Sequence, residues 1–228
     1  MKSIKELHDE FESIDGDRVK SMISFYENNI SSIDAIDTTI EENYSLKLRW
    51  LSEYGLSLGA DGYYTEATVA LKNAIEMFKK LPGMDQKKLY ENHYYETLLF
   101  HYGAALWEIR KVKKSIEVFK TLVLHYPKNE KYNTWLIGLK VETLRKVTNP
   151  IWITAGIWLI GNYTFFNQLN PDSQLILNYF GVLLLLVGGA LELYVYLLNR
   201  KKKEQLKLTY IKATRSPKPV IKNYLCLL

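Results

Sequence analysis

Two kinds of hydrophobic pattern divide this chain. Up to about residue 148, apolar residues recur at helical spacing between charged ones. From Ile151 to Leu198 they run on with only two charges, Asp172 and Glu192. The first pattern predicts amphipathic helices packed on one another. The second predicts helices apolar on every side. Ile4, Leu7, Phe11 and Ile14 make one stripe, and Val19, Ile23, Tyr26 and Ile30 make another across the Asp15-Gly16-Asp17 turn. That is a helix pair. The predicted class is all-α.

Two later segments carry a more specific pattern. In "LSEYGLSLGADGYYTEATVALKNA" (51–74), Gly55 falls where two helices cross closely and Leu58 fills the next large position. Gly62 and Tyr64 mark the turn and the second-helix entry, and Ala67, Leu71 and Ala74 form a small-large-small face. In "LLFHYGAALWEIRKVKKSIEVFKTLVLHYP" (98–127), Leu99, Tyr102, Gly103 and Leu106 form the first face. Val112, Ser115, Phe119 and Leu122 form the second, with Pro127 at the end. This placement of small and large residues resembles the tetratricopeptide repeat family, with repeats near 48–82 and 96–129. The resemblance implies an α-solenoid in which Gly55, Ala67, Ala74, Gly103, Ser115 and Pro127 are packing positions.

Gly55 and Gly103 stand 48 residues apart, against a usual period of about 34. The extra length fits two lengthened helices on either side of Leu81-Pro82-Gly83. Residues 130–147 are expected to form a capping helix, broken by Thr148-Asn149-Pro150 before the first apolar run. The linker is so short that the helical array is expected to sit directly on a membrane.

The apolar runs predict a transmembrane hairpin over 150–198, with spans at about 151–169 and 175–198, since a crossing takes roughly 20 apolar residues. The connector "NQLNPDSQ" is polar and lacks Lys and Arg. Arg145 and Lys146 precede the first span, and Arg200, Lys201, Lys202 and Lys203 follow the second. The positive-inside rule then places both termini in the cytoplasm. Trp152, Tyr194 and Tyr196 fall near the inner interface, and Tyr163, Phe165 and Phe166 near the outer one. Ala155, Gly156, Gly161, Gly181, Gly188, Gly189 and Ala190 suit close helix contact, and through it a homo-oligomer, although no strict GxxxG occurs.

Charge sharpens this division. Residues 1–44 carry eleven acids against Lys2, Lys5, Arg18 and Lys20, while residues 200–228 carry nine basic groups against Glu204. The net charge of +5 is mostly a property of the tail, and no nucleic-acid partner is expected. The basic tail, 199–228, suits anionic lipid through Arg200–Lys203. The single cysteine, Cys226, excludes an intrachain disulfide and is third from the end, outside the prenylation pattern. Ser216-Pro217-Lys218-Pro219 points to a flexible end, and the acidic start lacks the form of a signal peptide.

Catalytic chemistry is not expected. His8, His93, His101 and His125 lack metal-ligand spacing, and there is no phosphate loop, dinucleotide fingerprint or GxSxG. No metal or cofactor is predicted. The family resemblance implies a concave groove lined by Arg49, Ser52, Leu56 and Ala60 from one repeat, and Phe100, Ala104, Trp107 and Glu108 from the next. Such a groove takes a protein or peptide. The subgroup that grips chaperone C-terminal carboxylates has Lys and Asn where this chain has Ser52, Leu56, Phe100 and Ala104, so that specificity is not expected. The resulting expectation is a membrane-anchored adaptor or scaffold. Two rival readings are a membrane signalling or sensor component with a basic output segment, and a small channel or transporter subunit using Glu192.

Overall fold

A computed structural model describes residues 2–165, 168 and 170–215, without the side chains of 202, 203 and 205–215. The described residues are helical with no strand. They form two units, residues 1–127 and 128–228.

The first unit contains α1 (Ile4–Glu12), α2 (Arg18–Asp34), α3 (Glu41–Ala60), α4 (Tyr64–Lys79), α5 (Gln86–Glu91), α6 (His93–Glu108) and α7 (Val112–His125). Packing follows chain order: α2 on α3, α3 on α4, α4 on α6 and α6 on α7, with α1 against α2 and α3. A capping box starts α1. The Ser3 hydroxyl accepts from the Glu6 amide, and the Glu6 carboxylate accepts from the Ser3 amide at 2.7 Å. Leu7 and Phe11 are buried as the stripe predicts.

The buried face of α2 lies to one side of its predicted stripe. It consists of Met22, Phe25, Tyr26, Asn29 and Ile33, while Ile30 is 48% exposed. The polar residue on that face disguised it. Asn29 is satisfied, its amide donating to the Phe25 carbonyl at 2.8 Å and to Glu10 at 3.1 Å. Phe25 then meets Phe11 and Trp50, with ring centroids 5.7–6.2 Å apart in this three-ring cluster.

The pairs α3–α4 and α6–α7 match each other at a 48-residue offset. Ala60 and Glu108 end the first helices, and Tyr64 and Val112 start the second. Gly62 and Arg110, at equivalent positions, have φ of +91° and +62°. The Tyr63 amide donates to the Leu58 carbonyl at 2.9 Å, and the Lys111 amide to the Leu106 carbonyl at 2.9 Å. Both turns therefore close a first helix with the six-to-one bond and left-handed residue of a Schellman cap. The helices cross at glycines. A Cβ on Gly55 would stand 2.9 Å from Leu71 Cγ, and one on Gly103 would stand 3.0 Å from Phe119 Cε2. Ser115 is fully buried and donates to the Gly103 carbonyl at 2.7 Å.

The extra residues between the pairs do not lengthen both flanking helices. Helix α4 stops at Lys79, and Leu81-Pro82-Gly83 turns the chain into the short α5. Asn92 separates α5 from α6. It is extended (φ −84°, ψ 115°), and its side chain accepts from the Tyr94 and Tyr95 amides. An Asn offers the backbone this alternative to a continuous helix, which the hydrophobic spacing does not reveal.

The second unit contains α8 (Glu130–Thr164) and α9 (Pro171–Arg215). The expected break at Thr148-Asn149-Pro150 does not occur, because Pro150 lies inside α8. A proline removes one amide donor, and the helix continues on the bonds around it; the Thr154 hydroxyl donates to the Pro150 carbonyl at 2.9 Å. Helix α9 starts with Asn170 as cap, its side chain accepting from Ser173 at 2.9 Å, and Pro171 in the first helical position. The tail is helical as far as Arg215; Ser216–Pro219 and Cys226 lie outside the described residues.

Helices α8 and α9 pack in opposite senses. Gly188 lies against Ile151 and Trp152, Gly181 beneath the Trp158 indole, and Val195 in a cluster with Ile137 and Val141. One helix among the described residues, Pro171–Lys201, is long and apolar enough to cross a membrane, with mean hydropathy 2.1 and 17% of its most apolar window buried.

Candidate functional site

The predicted groove residues divide into those used inside the fold and those at its surface. Arg49 is held from two sides. Its guanidinium pairs with Glu12 at 2.9 Å and lies 4.8 Å over the Phe11 ring. Ser52 is fully buried, so it offers no surface to a ligand. Next to it, Tyr94 on α6 donates to Glu53 at 3.1 Å, and Arg18 on α2 lies 4.0 Å from the same carboxylate. This link across α2, α3 and α6 draws on distant charges and a tyrosine that spacing alone does not pair.

Leu56, Phe100, Ala104 and Trp107 are half-buried, and Glu108 is exposed, as is Ala60. Phe100 packs edge-on against the buried Phe119 (centroids 5.9 Å) and His101 (5.3 Å). One side of its ring is thus fixed by the helix pair beneath it. The surface set spans a single face of α6 at four- and three-residue spacing, with Leu56 on α3. It combines two large rings with a methyl and a carboxylate. Such a surface can take an apolar side chain; it holds no nucleophile-base pair.

Several tyrosines of the first unit pair with one another or with His125. Tyr26 and Tyr54 stack at 4.2 Å, and burial, with the charges of Asp34 and Glu27 respectively, pushes each hydroxyl up to about 12. Tyr90 stacks on His125 at 3.4 Å and meets Tyr95 and Tyr126 edge-on. Burial pushes Tyr126 up to about 12 and raises Tyr94 and Tyr95 further. The hydroxyls of Tyr26, Tyr54, Tyr94, Tyr95 and Tyr126 therefore stay protonated across the physiological range.

Among the described residues no three His, Cys, Asp or Glu side chains come together as a metal site. His93 is exposed and bonded to Glu96 at 3.1 Å. Gly55, Ala67, Ala74, Gly103 and Ser115 are all buried at helix contacts, and Pro127 is exposed just after α7. At the far end, Arg200 pairs with Glu204 at 3.1 Å, and Lys201 is exposed. The side chains of Lys202 and Lys203 lie outside the described residues. Glu192 is exposed on α9. No family model, curated protein or solved structure matches the chain.

Proposed function

We propose that α8 and α9 form a two-span membrane hairpin with both ends of the chain on the cytoplasmic side. On this reading, the tetratricopeptide-like helix pairs of the first unit recruit a protein partner. The observation that carries this is the exposed apolar surface of the second unit. Ile153, Ile160, Ile176 and Leu186 are each 65–69% exposed, and neighbouring aromatic and aliphatic residues continue the belt around both helices. An apolar surface of this extent has lipid as its natural solvent.

The 31 residues Pro171–Lys201 give about 46 Å of helix, more than a hydrocarbon core of roughly 30 Å. The apolar part of α8 from Ile151 is shorter, and its neighbour carries it across by the packing at Gly181 and Gly188. Gly181, with no Cβ, lets the Trp158 indole close on the α9 backbone. Glu192 is exposed rather than enclosed between the helices, and lies about 12 Å along α9 from Arg200. That suits an acid near headgroup level and lends no support to an ion path within the pair.

The partner surface is Leu56, Phe100, Ala104, Trp107 and Glu108, without Ser52. Its test is a photo-crosslinking amino acid in place of Trp107, in the full chain in native membranes. A discrete adduct is expected, lost in Ala104→Arg. Absence of any adduct from positions 107 and 56 in a folded chain would overturn the adaptor reading.

A further inference from the structure

We propose that α7 of one copy docks antiparallel on α2 of a second copy, so that the first unit joins two chains through complementary faces of its own. The inference goes beyond the partner surface and the anchoring proposed above and depends on neither. It starts from charge along the chain. Arg18 and Lys20 stand in the first turn of α2; residues 21–46 then hold Glu27, Asp34, Asp37, Glu41 and Glu42 and no Lys or Arg. Residues 111–124 hold Lys111, Lys113, Lys114 and Lys120 against Glu117.

Opposite its buried face, each helix presents a stripe with spacings of four, three and four. On α2 the stripe is Ile23, Glu27, Ile30 and Asp34; on α7 it is Lys113, Glu117, Lys120 and Leu124. All are exposed except Ile23, which is half-buried. Ile30 is 48% exposed, and Leu124, at 74%, is the most exposed large hydrophobic side chain described in the first unit. Each stripe is about 16 Å long. Tyr54 donates to Glu27 without neutralising it, and Lys47 lies 3.8 Å from Asp34. Among the described residues no carboxylate pairs with Lys113 or Lys120.

Laid antiparallel, the stripes set Ile23 by Leu124, Glu27 by Lys120 and Asp34 by Lys113. That is one apolar contact and two opposite-charge pairs. The remaining position sets Glu117 by Ile30, the one poor match. Laid parallel, the stripes set Glu27 against Glu117 and give no opposite-charge pair. The complement of α7 is thus carried by α2 of the same sequence, in register and in one direction only. Both stripes are open along their length, so they do not meet within one chain, and a second copy supplies the opposing face. Each copy gives one face and receives the other, which makes the contact heterologous. Exposed ion pairs are weak singly, so it is a reversible contact that salt weakens.

The test uses the full chain in detergent micelles, in a Cys226→Ser background, as a mixture of an Ile23→Cys chain and a Leu124→Cys chain. Mild oxidation is expected to give the mixed 23–124 disulfide in excess over the 23–23 and 124–124 products. Lys113→Glu with Lys120→Glu on the Leu124→Cys chain should lower the mixed product by about tenfold. High salt should lower it too. Adding Glu27→Lys with Asp34→Lys to the Ile23→Cys chain should then restore it, which a misfolded chain cannot do. Glu117→Leu on the Leu124→Cys chain should raise the mixed product by giving Ile30 an apolar neighbour. Absence of the mixed disulfide, or failure of the second reversal to restore it, would overturn the inference. So would all three products in statistical proportion and unmoved by the reversals, which would mark the second unit as the site of self-association. Binding of an acidic protein that is lost on the α7 reversal and not restored by the α2 reversal would overturn it as well, with that protein as the occupant. The crosslink at position 107 is read separately, so failure of the adaptor reading and failure of this one are told apart.

Discussion

Replacing Gly55 with alanine tests whether the helix crossing in the first pair is as close as the structure makes it. The new Cβ would lie 2.9 Å from Leu71 Cγ, 3.0 Å from Cδ2 and 3.1 Å from the Leu71 backbone nitrogen. Comfortable carbon contacts begin at about 3.5 Å. Leu71 is fully buried and its backbone belongs to α4, so neither can retreat freely. An open helical glycine gains about 1 kcal/mol on becoming alanine. Overpacking a core costs about 1–3 kcal/mol. The second effect wins here, because one of the close atoms is main chain, and the net loss should be about 1 kcal/mol. The measurement is hydrogen exchange of α3 and α4 amides in the detergent-solubilised full chain. Leu71→Ala alone should cost about 2–5 kcal/mol. In that background the glycine change should become close to neutral, giving a coupling of about 1 kcal/mol. Stabilisation by Gly55→Ala, or additivity with Leu71→Ala, would refute the reasoning.

Other expectations follow from single contacts. Gly62→Ala, at φ +91°, should destabilise the first pair by about 1–2 kcal/mol in the same exchange assay. Ser115→Ala should cost about 0.5–1.5 kcal/mol, because it removes the buried hydrogen bond to the Gly103 carbonyl. Tyr26, Tyr54 and Tyr126 hold their protons to about pH 12, while unfolded tyrosine ionises near 10; the unfolded chain then binds fewer protons, so stability should hold below pH 10 and fall between about 10 and 12. Phenolate absorbance lagging behind that of the denatured chain checks this.

The helical class was legible because apolar spacing in residues 1–148 follows the helix period and the glycine-and-alanine crossings stand at matching offsets. Leu7, Phe11, Leu71, Phe119 and Leu122 are buried where that period puts them. The pattern failed where a polar group was satisfied locally. Asn29 on a buried face hid the true stripe of α2, and Asn92 as a cap cut α5 from α6. Pro150 failed as a stop signal because losing one amide does not end a long helix. Of the groove residues, Phe100, Ala104 and Trp107 reach the surface as the helix register requires. Arg49 was not legible, because its partners Glu12 and Phe11 come from a helix distant in sequence.

Topology is the point on which the account stands. Sealed, inside-out membrane vesicles containing the full chain with a different epitope at each end should be treated with protease after an alkaline wash. The account predicts that the chain stays with the lipid, that both epitopes are digested, and that a fragment covering about residues 150–198 survives. Release of the chain into the wash, or protection of one epitope while the other is lost, would contradict it.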